Sequence, residues 1–243
     1  MFRIAVFFLF ATSAFLEASE WSERVYLATF PRSGNHWMRY LIEDATHIST
    51  GTVYRDSDPP HLKDPFPWEA FSTDGGYRKD CRDPRPFEPF VVKTHYPALG
   101  KQPFDGRRYK AVIRIVRHPV DSFYSWYVYK KGNEQTIPRD LLELMVRKWK
   151  RFQEYWEVQP NVTTFRYEDM MLDLKKHVRK TLNVIGYKYT QEDLDYAVEM
   201  NQPRGGVLKH LEHFTHDDLQ YIQKELGALM VKYNYSIPGV KLK

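Results

Sequence analysis

An α/β domain built on a central parallel sheet is the fold this sequence predicts, and three observations carry it. Apolar, β-branched runs recur at Val25–Phe30, Phe90–Thr94, Lys110–Val116 and Val162–Phe165, each closed by turn residues. Helical spacing follows three of the four. Strands alternating with helices need crossover connections, which make the paired strands parallel. The third observation is local: FPRSGNHW, Phe30 to Trp37, sets a tight turn with one glycine between the first strand and the helix-like MRYLIEDA.

Taken in order, the chain opens with Met1-Phe2-Arg3 and thirteen uncharged residues, Ile4 to Leu16. That is the basic start and short apolar core of a signal peptide, below the ~20 residues of a spanning helix. Residues 1–18 are therefore expected to be a signal peptide or short signal anchor, cut after Ala14 or Ala18 if cleaved; the competing reading is an apolar helix of the folded domain. Residues 19–243 form one domain, since 243 residues at 42% hydrophobic can bury a full core. The sequons Asn161-Val162-Thr163 and Asn234-Tyr235-Ser236 agree with a glycoprotein of the secretory pathway, Golgi-resident or secreted. Residues 54–89, rich in proline and aspartate and holding Gly75-Gly76, read as a long excursion on the acceptor side.

Further on, Leu142, Met145, Trp149, Phe152 and Trp156 fall at three- and four-residue steps, so Pro138 to Glu157 reads as an amphipathic helix. Asp169 to Ile185 reads as a second, stopped by Gly186. Thr215 to Tyr233 reads as a third, capped by Thr215 with Asp217 and Asp218 in its first turn. The lone Cys81 cannot make an internal disulfide. A formal charge of +5 and a pI near 9.0 favour an anionic ligand but fall short of a nucleic-acid-binding arm.

Open α/β sheets bind ligands beyond the carboxyl ends of their strands. After the first strand stands Arg32-Ser33-Gly34, in a turn whose free amides would face an anion at a helix start. It lacks the second glycine and the lysine of a nucleotide P-loop. At the second strand's end, Lys93 and His95 share one face in KTHYP. After the third comes RHPVDSFYS, with Arg117 before a helix start and Ser125 eight residues on; after the fourth comes RYEDM. Three cations, a histidine and a hydroxyl on one sheet edge make an anion site with a candidate base.

At these residues the sequence resembles the sulfotransferases that use 3′-phosphoadenosine 5′-phosphosulfate (PAPS). FPRSGNHW is similar to the family's 5′-phosphosulfate loop, VVKTHYP to its catalytic-histidine strand, and Arg117 with Ser125 to its 3′-phosphate motif. Tyr167 in RYEDM resembles its adenine-side tyrosine, and Arg204-Gly205-Gly206 with Phe214-Thr215 its late element. The resemblance implies a P-loop-like topology in which the strand–loop–helix holds PAPS, the co-substrate. Arg32, Ser33, Gly34, Asn35 and His36 would cradle the phosphosulfate, and Trp37 would stack on adenine. Arg117, Ser125, Arg204 and Gly205 would serve the 3′ side. His95 would be the general base, with Lys93 and Arg32 stabilising charge on the sulfuryl and departing phosphate oxygens. No metal enters this scheme. The acceptor would carry a hydroxyl on a glycan, a tyrosyl group or a small molecule; secretory routing favours glycan or protein. No nucleic-acid partner is expected, and a membrane only if the leader stays as an anchor.

The sequence departs from the family where Arg32 replaces a common lysine, where Asn35 and His36 replace two threonines, and where Pro203 and a double glycine flank Arg204. Other readings stay open here: a nucleotide or small-molecule kinase of related topology, or a non-catalytic nucleotide-binding module. Trp37 and Tyr167 could be core alone, and Arg114 a buried partner or an acceptor contact. Three histidines, His210, His213 and His216, suggest a metal, but the Thr215 cap places a helix start between the second and third.

Overall fold

The computed structural model describes residues 24–53, 78, 80–85, 88–99, 109–131 and 136–240. Among them, five parallel strands stand in the order β2-β3-β1-β4-β5, where β1 is Arg24–Thr29, β2 Gly51–Thr52, β3 Phe90–Thr94, β4 Ala111–Val116 and β5 Val162–Arg166. The helices are α1 (Asn35–Thr46), α2 (Pro119–Lys131), α3 (Arg139–Glu157), α4 (Tyr167–Leu172), α5 (Leu174–Ile185), α6 (Gln191–Met200) and α7 (His216–Lys232). This is the α/β domain with a parallel sheet that the alternating runs predict. The leader and residues 54–77 of the excursion, with Tyr54, Trp68, Phe71 and Tyr77, lie outside the described residues.

Both faces of the sheet are covered, which is why its central strands read as continuous apolar runs. All six residues of β4 are buried. Tyr26, Ala28, Val92, Val112 and Val116 share a core with Trp149, Phe152 and Trp156 of α3 and Ile222, Leu226 and Met230 of α7. Their strand neighbours Val25, Leu27, Val91, Ile113 and Ile115 point the other way, into a core with Met38, Leu41 and Ile42 of α1 and Val178 and Leu182 of α5. β1 is flanked by β3 and β4, in register Leu27 to Lys93 and Leu27 to Ile113. The chain reverses its winding there, so the crevice at the carboxyl end of β1 is where this topology holds a ligand.

Two expectations change. The helix predicted over Asp169–Ile185 is two helices, α4 starting at Tyr167 and α5 at Leu174. Asp173 leaves helical geometry (φ −143°, ψ 73°) and its carboxylate accepts the Lys176 amide. An aspartate that bonds nearby backbone favours a cap over a helix interior. The second change is α6, which was not anticipated, although Thr190 and Asp193 form a reciprocal capping box at its start. Thr215 caps α7 through the same device with Asp218, and Gly186 ends α5 in the left-handed region (φ 86°).

One buried carboxylate ties α1 to the segments after it. Glu43 accepts the Thr50 amide (3.0 Å), the Thr50 hydroxyl (2.5 Å) and the Arg78 amide (3.0 Å). Arg39, equally buried, donates Nε to the same hydroxyl (2.7 Å). Burial holds the Glu43 carboxyl above the usual carboxylate range, against these donors and the charge of Arg39. Glu43→Ala strands buried donors at about 1–3 kcal/mol each. Urea unfolding is therefore expected to show a loss of about 2–4 kcal/mol, and a loss under about 1 kcal/mol would remove this carboxylate's structural role.

Candidate active site

The loop leaving β1 is pinned at its start and finish. Phe30 is fully buried, its ring edge-on to Phe123, Trp126 and Phe152. Ser33, also fully buried, donates its amide to the Phe30 carbonyl (3.1 Å) and shares a hydroxyl bond with Ser122 of α2 (3.1 Å). Gly34 follows at φ +100°, where a Cβ would also meet the Tyr167 ring at 2.8 Å. No side chain caps α1 at Gly34, and no acidic residue stands in its first turn. The first amides of α1 and the positive end of its dipole are thus left for an anion.

The other strand ends close on this loop. His95, just past β3, places Nδ1 2.7 Å from the Thr29 carbonyl oxygen. A carbonyl only accepts, so Nδ1 carries the proton and Nε2 keeps the lone pair, the tautomer a general base requires. Lys93 sets Nζ 3.4 Å from Nε2 of His36 in the first turn of α1. Both Lys93 and His95 are more than nine-tenths buried. Beyond β4, Arg117 donates Nη1 to the Arg32 carbonyl (2.8 Å), lies 4.6 Å above the Tyr167 ring and keeps a buried Nε without a partner. Arg32 extends over α2, with Nε 3.2 Å from the Ser125 hydroxyl and its guanidinium 5.0 Å over Tyr129. Among the described residues, no carboxylate forms an ion pair with Arg32 or Arg117. Two uncompensated guanidiniums beside an uncapped helix start fit a multiply charged anion.

Trp37 donates Nε1 to the Asn201 carbonyl (2.7 Å) and meets Tyr167 edge-on at 5.3 Å. Asn201 is itself held: its amide donates to Asp44 (2.7 Å) and to the Ala197 carbonyl (2.8 Å), and Arg78 donates to both Asp44 (2.8 Å) and the Asn201 side chain (3.2 Å). This backing network was not anticipated; its members lie far apart in sequence and carry no shared motif. Asn35 is buried with an unpartnered Oδ1. Arg204 and Gly205 sit on an exposed loop, with Gly205 at φ +104°. No hydrogen bond or ion pair joins Arg204 to Arg117 or Ser125. The loop is tied to the site through the Leu208 amide, which donates to Asp121 of α2 (2.8 Å).

Elsewhere the ambiguous residues find plain roles. Arg114 is buried, donating to the Thr164 hydroxyl (3.0 Å) and the Gln153 carbonyl (3.1 Å). His213 stacks on Tyr124 at 3.9 Å, His210 tilts against the same ring at 4.8 Å, and His216 bonds Gln220 (2.9 Å). Cys81 is buried as a free thiol against the Glu43 carbonyl, and burial pushes the thiol up to about 12.

With this geometry in place, comparison with known proteins is specific. A family model described as "Sulfotransferase domain" matches residues 22–203. Bovine sulfotransferase 1A1 is 28% identical over 211 residues, spanning 76% of this chain and 66% of the relative. WSCD family member CG9164 of Drosophila melanogaster is 54% identical over 188 residues, spanning 71% of this chain and 53% of the relative. The match thus covers between about half and two thirds of these relatives' lengths. Among solved structures, mouse sulfotransferase SULT7A1 complexed with PAP superposes with a TM-score of 0.56 at 16% identity, covering 88% of this chain and 85% of that one. Retinol dehydratase in complex with androsterone and PAP gives 0.57 at 16% identity, covering 91% and 82%. At that identity the likeness is one of fold.

The electrostatics of the site make a pH prediction. His118 precedes α2, its Nδ1 accepting the Val120 amide (3.3 Å) and its Nε2 donating to the Ser236 carbonyl (3.3 Å). Burial first, then the charges of Arg117 and Arg166, depress it from 6.5 to about 4. A histidine held neutral contributes stability above its unfolded value and loses it as pH falls toward the folded one. Stability is therefore expected to fall by up to about 3 kcal/mol between pH 6.5 and 4 on this account. His118→Gln should flatten that part of the curve in urea titrations; an unchanged slope would rule the residue out as its source.

Proposed function

Because the chain belongs to the sulfotransferase family, with residues 22–203 matching its domain model, we propose that it transfers a sulfuryl group from PAPS to an acceptor hydroxyl. The observation that carries this reading is the His95 tautomer: Nδ1–H is spent on the Thr29 carbonyl, so Nε2 is the basic nitrogen, on the same edge as Lys93 and the start of α1. His95 takes the acceptor's proton as the acceptor oxygen bonds to sulfur and the sulfur–oxygen bond to the donor's 5′-phosphate breaks. Lys93 stabilises charge on the transferring and leaving oxygens. The α1 amides hold the phosphosulfate, and Trp37 and Tyr167 supply aromatic surface for adenine. PAP, present in both solved complexes above, is the nucleotide left when the sulfuryl group departs.

The finer reading is a secretory enzyme acting on glycan or protein hydroxyls. It rests on the apolar Ile4–Leu16 segment and the two sequons. Asn161 and Asn234 are both exposed in turns at positive φ (56° and 55°), a conformation asparagine tolerates and an accessible one for a glycan.

Two measurements test these readings. Saturating 3′,5′-bisphosphorylated adenosine, at a hundredfold over its dissociation constant, adds about 2.7 kcal/mol and should raise the melting midpoint by roughly 5–10 °C. ADP should do far less, and Arg117→Ala should abolish the difference, while His95→Ala should lower turnover with PAPS by about 10²–10⁴-fold. Equal shifts with both nucleotides would point to a kinase. Secreted from animal cells, the full chain should lose mass on amidase removal of N-glycans, in two steps assigned by Asn161→Gln and Asn234→Gln; an unchanged mass would overturn the glycoprotein reading.

A further inference from the structure

Lys148, Phe152 and Trp156 fall at four-residue steps in α3 and so share one face of that helix. Phe152 meets Phe30, which opens the loop after β1. The two polar members of the stripe reach the turn that follows His95. Trp156 donates Nε1 to the Tyr96 carbonyl (2.7 Å), and Lys148 donates Nζ to the Ala98 carbonyl (3.0 Å). Tyr96 also packs edge-on against Tyr155 of the same helix at 5.0 Å. The turn closes on itself as well: the Leu99 amide donates to the His95 carbonyl (3.0 Å) and the Tyr96 amide to the Thr94 hydroxyl (3.1 Å).

We propose that Trp156 and Lys148 are positioning residues for His95: they hold the backbone just past it, so that Nδ1 stays on the Thr29 carbonyl and Nε2 keeps the lone pair. This rests on the sulfotransferase reading, in which His95 is the base, and adds to it. On the β1 side the ring is fixed by the Thr29 carbonyl (2.7 Å) and hydroxyl (3.3 Å), both at Nδ1. Those contacts orient the imidazole only while the His95 backbone stays in place. Pairing of β3 with β1 ends at Ala28 and Thr94, one residue short of His95. α3 supplies the restraint that the sheet no longer gives. Trp156 is fully buried against Phe152 and Tyr155, so its indole N–H is a rigid donor. Lys148 donates as a cation, which makes a stronger bond to a carbonyl than a neutral donor does. Ala98 is 2% exposed, so the carbonyl in this buried turn gains from having a partner. A misplacement of about 1 Å can cost a catalytic group about 100-fold in rate, which is the scale of effect such a clamp guards against.

Spectra of the full chain labelled with ¹⁵N-histidine, recorded above the ordinary histidine range, read the tautomer of His95 directly; His95→Gln assigns its signals, and no acceptor is needed. The wild type should be protonated almost wholly at Nδ1. Trp156→Phe removes one donor and keeps an aromatic ring in the core, and Lys148→Met removes the other and keeps its apolar stem. Each should raise the minor tautomer at least about threefold, the loss of one hydrogen bond being worth about that much in a ratio. Lys148→Arg, which keeps a cationic donor, should hold the wild-type ratio. The dissociation constant for 3′,5′-bisphosphorylated adenosine should change less than about twofold in all three. Lys148 is half-buried, so its variants decide the question even if Trp156→Phe does not fold. A lowered melting midpoint with an unmoved tautomer would make the stripe merely structural and overturn the proposal while the sulfotransferase reading stands. Nucleotide affinity lost in step with the tautomer would mean a general loosening of the site and overturn it too. A wild-type His95 protonated at Nε2 would instead remove the base on which both readings rest.

Discussion

A side chain at position 34 has nowhere to go. The backbone there occupies a region closed to residues with a Cβ, and the Tyr167 ring already fills the space that atom would take. Much of the site follows from this tight passage. It lets α1 start against the end of β1 with bare amides, turns the Arg32 carbonyl to Arg117, and sets Trp37 against Tyr167. Phe30 on one side and the Ser33–Ser122 bond on the other make the passage rigid before any ligand arrives. Preorganisation of this kind spares binding the cost of ordering the loop.

Among the described residues, Arg32 and Arg117 lack the carboxylate partner that several arginines elsewhere have. Arg78, Arg82, Arg139 and Arg166 each meet a carboxylate, which fixes the side chain and cancels its charge. Arg117 and Arg32 also lie over aromatic faces, Tyr167 and Tyr129, as Arg78, Arg139 and Arg166 do, but without a carboxylate partner. A ring quadrupole orients a guanidinium while leaving its charge and in-plane donors for an anion.

The strand ends were legible because each apolar run stops at a residue that can do chemistry: Arg32 after β1, His95 after β3, Arg117 after β4, Tyr167 after β5. Periodicity locates such boundaries well, and a parallel sheet brings them to one edge. What escaped the sequence is what depends on side-chain direction and long-range pairing. Nothing in RSGNH says that Arg32 turns to Ser125, because a long flexible side chain takes its rotamer from tertiary neighbours. The Asp44–Asn201–Arg78 network joins positions 157 and 123 residues apart, with no periodic signal. The α4/α5 break was misread because Leu172 and Leu174 continue an apolar pattern across Asp173, and only one of the two, Leu174, is buried.

The chain leaves the sheet at Val53, whose amide bonds the Lys93 carbonyl, and the described backbone resumes at Arg78, whose amide bonds Glu43. Both anchors are made on elements that carry the candidate site, β3 and α1. Val53 and Arg78 are thus held by β3 and α1, so the described elements fix both points whatever sequence lies between them.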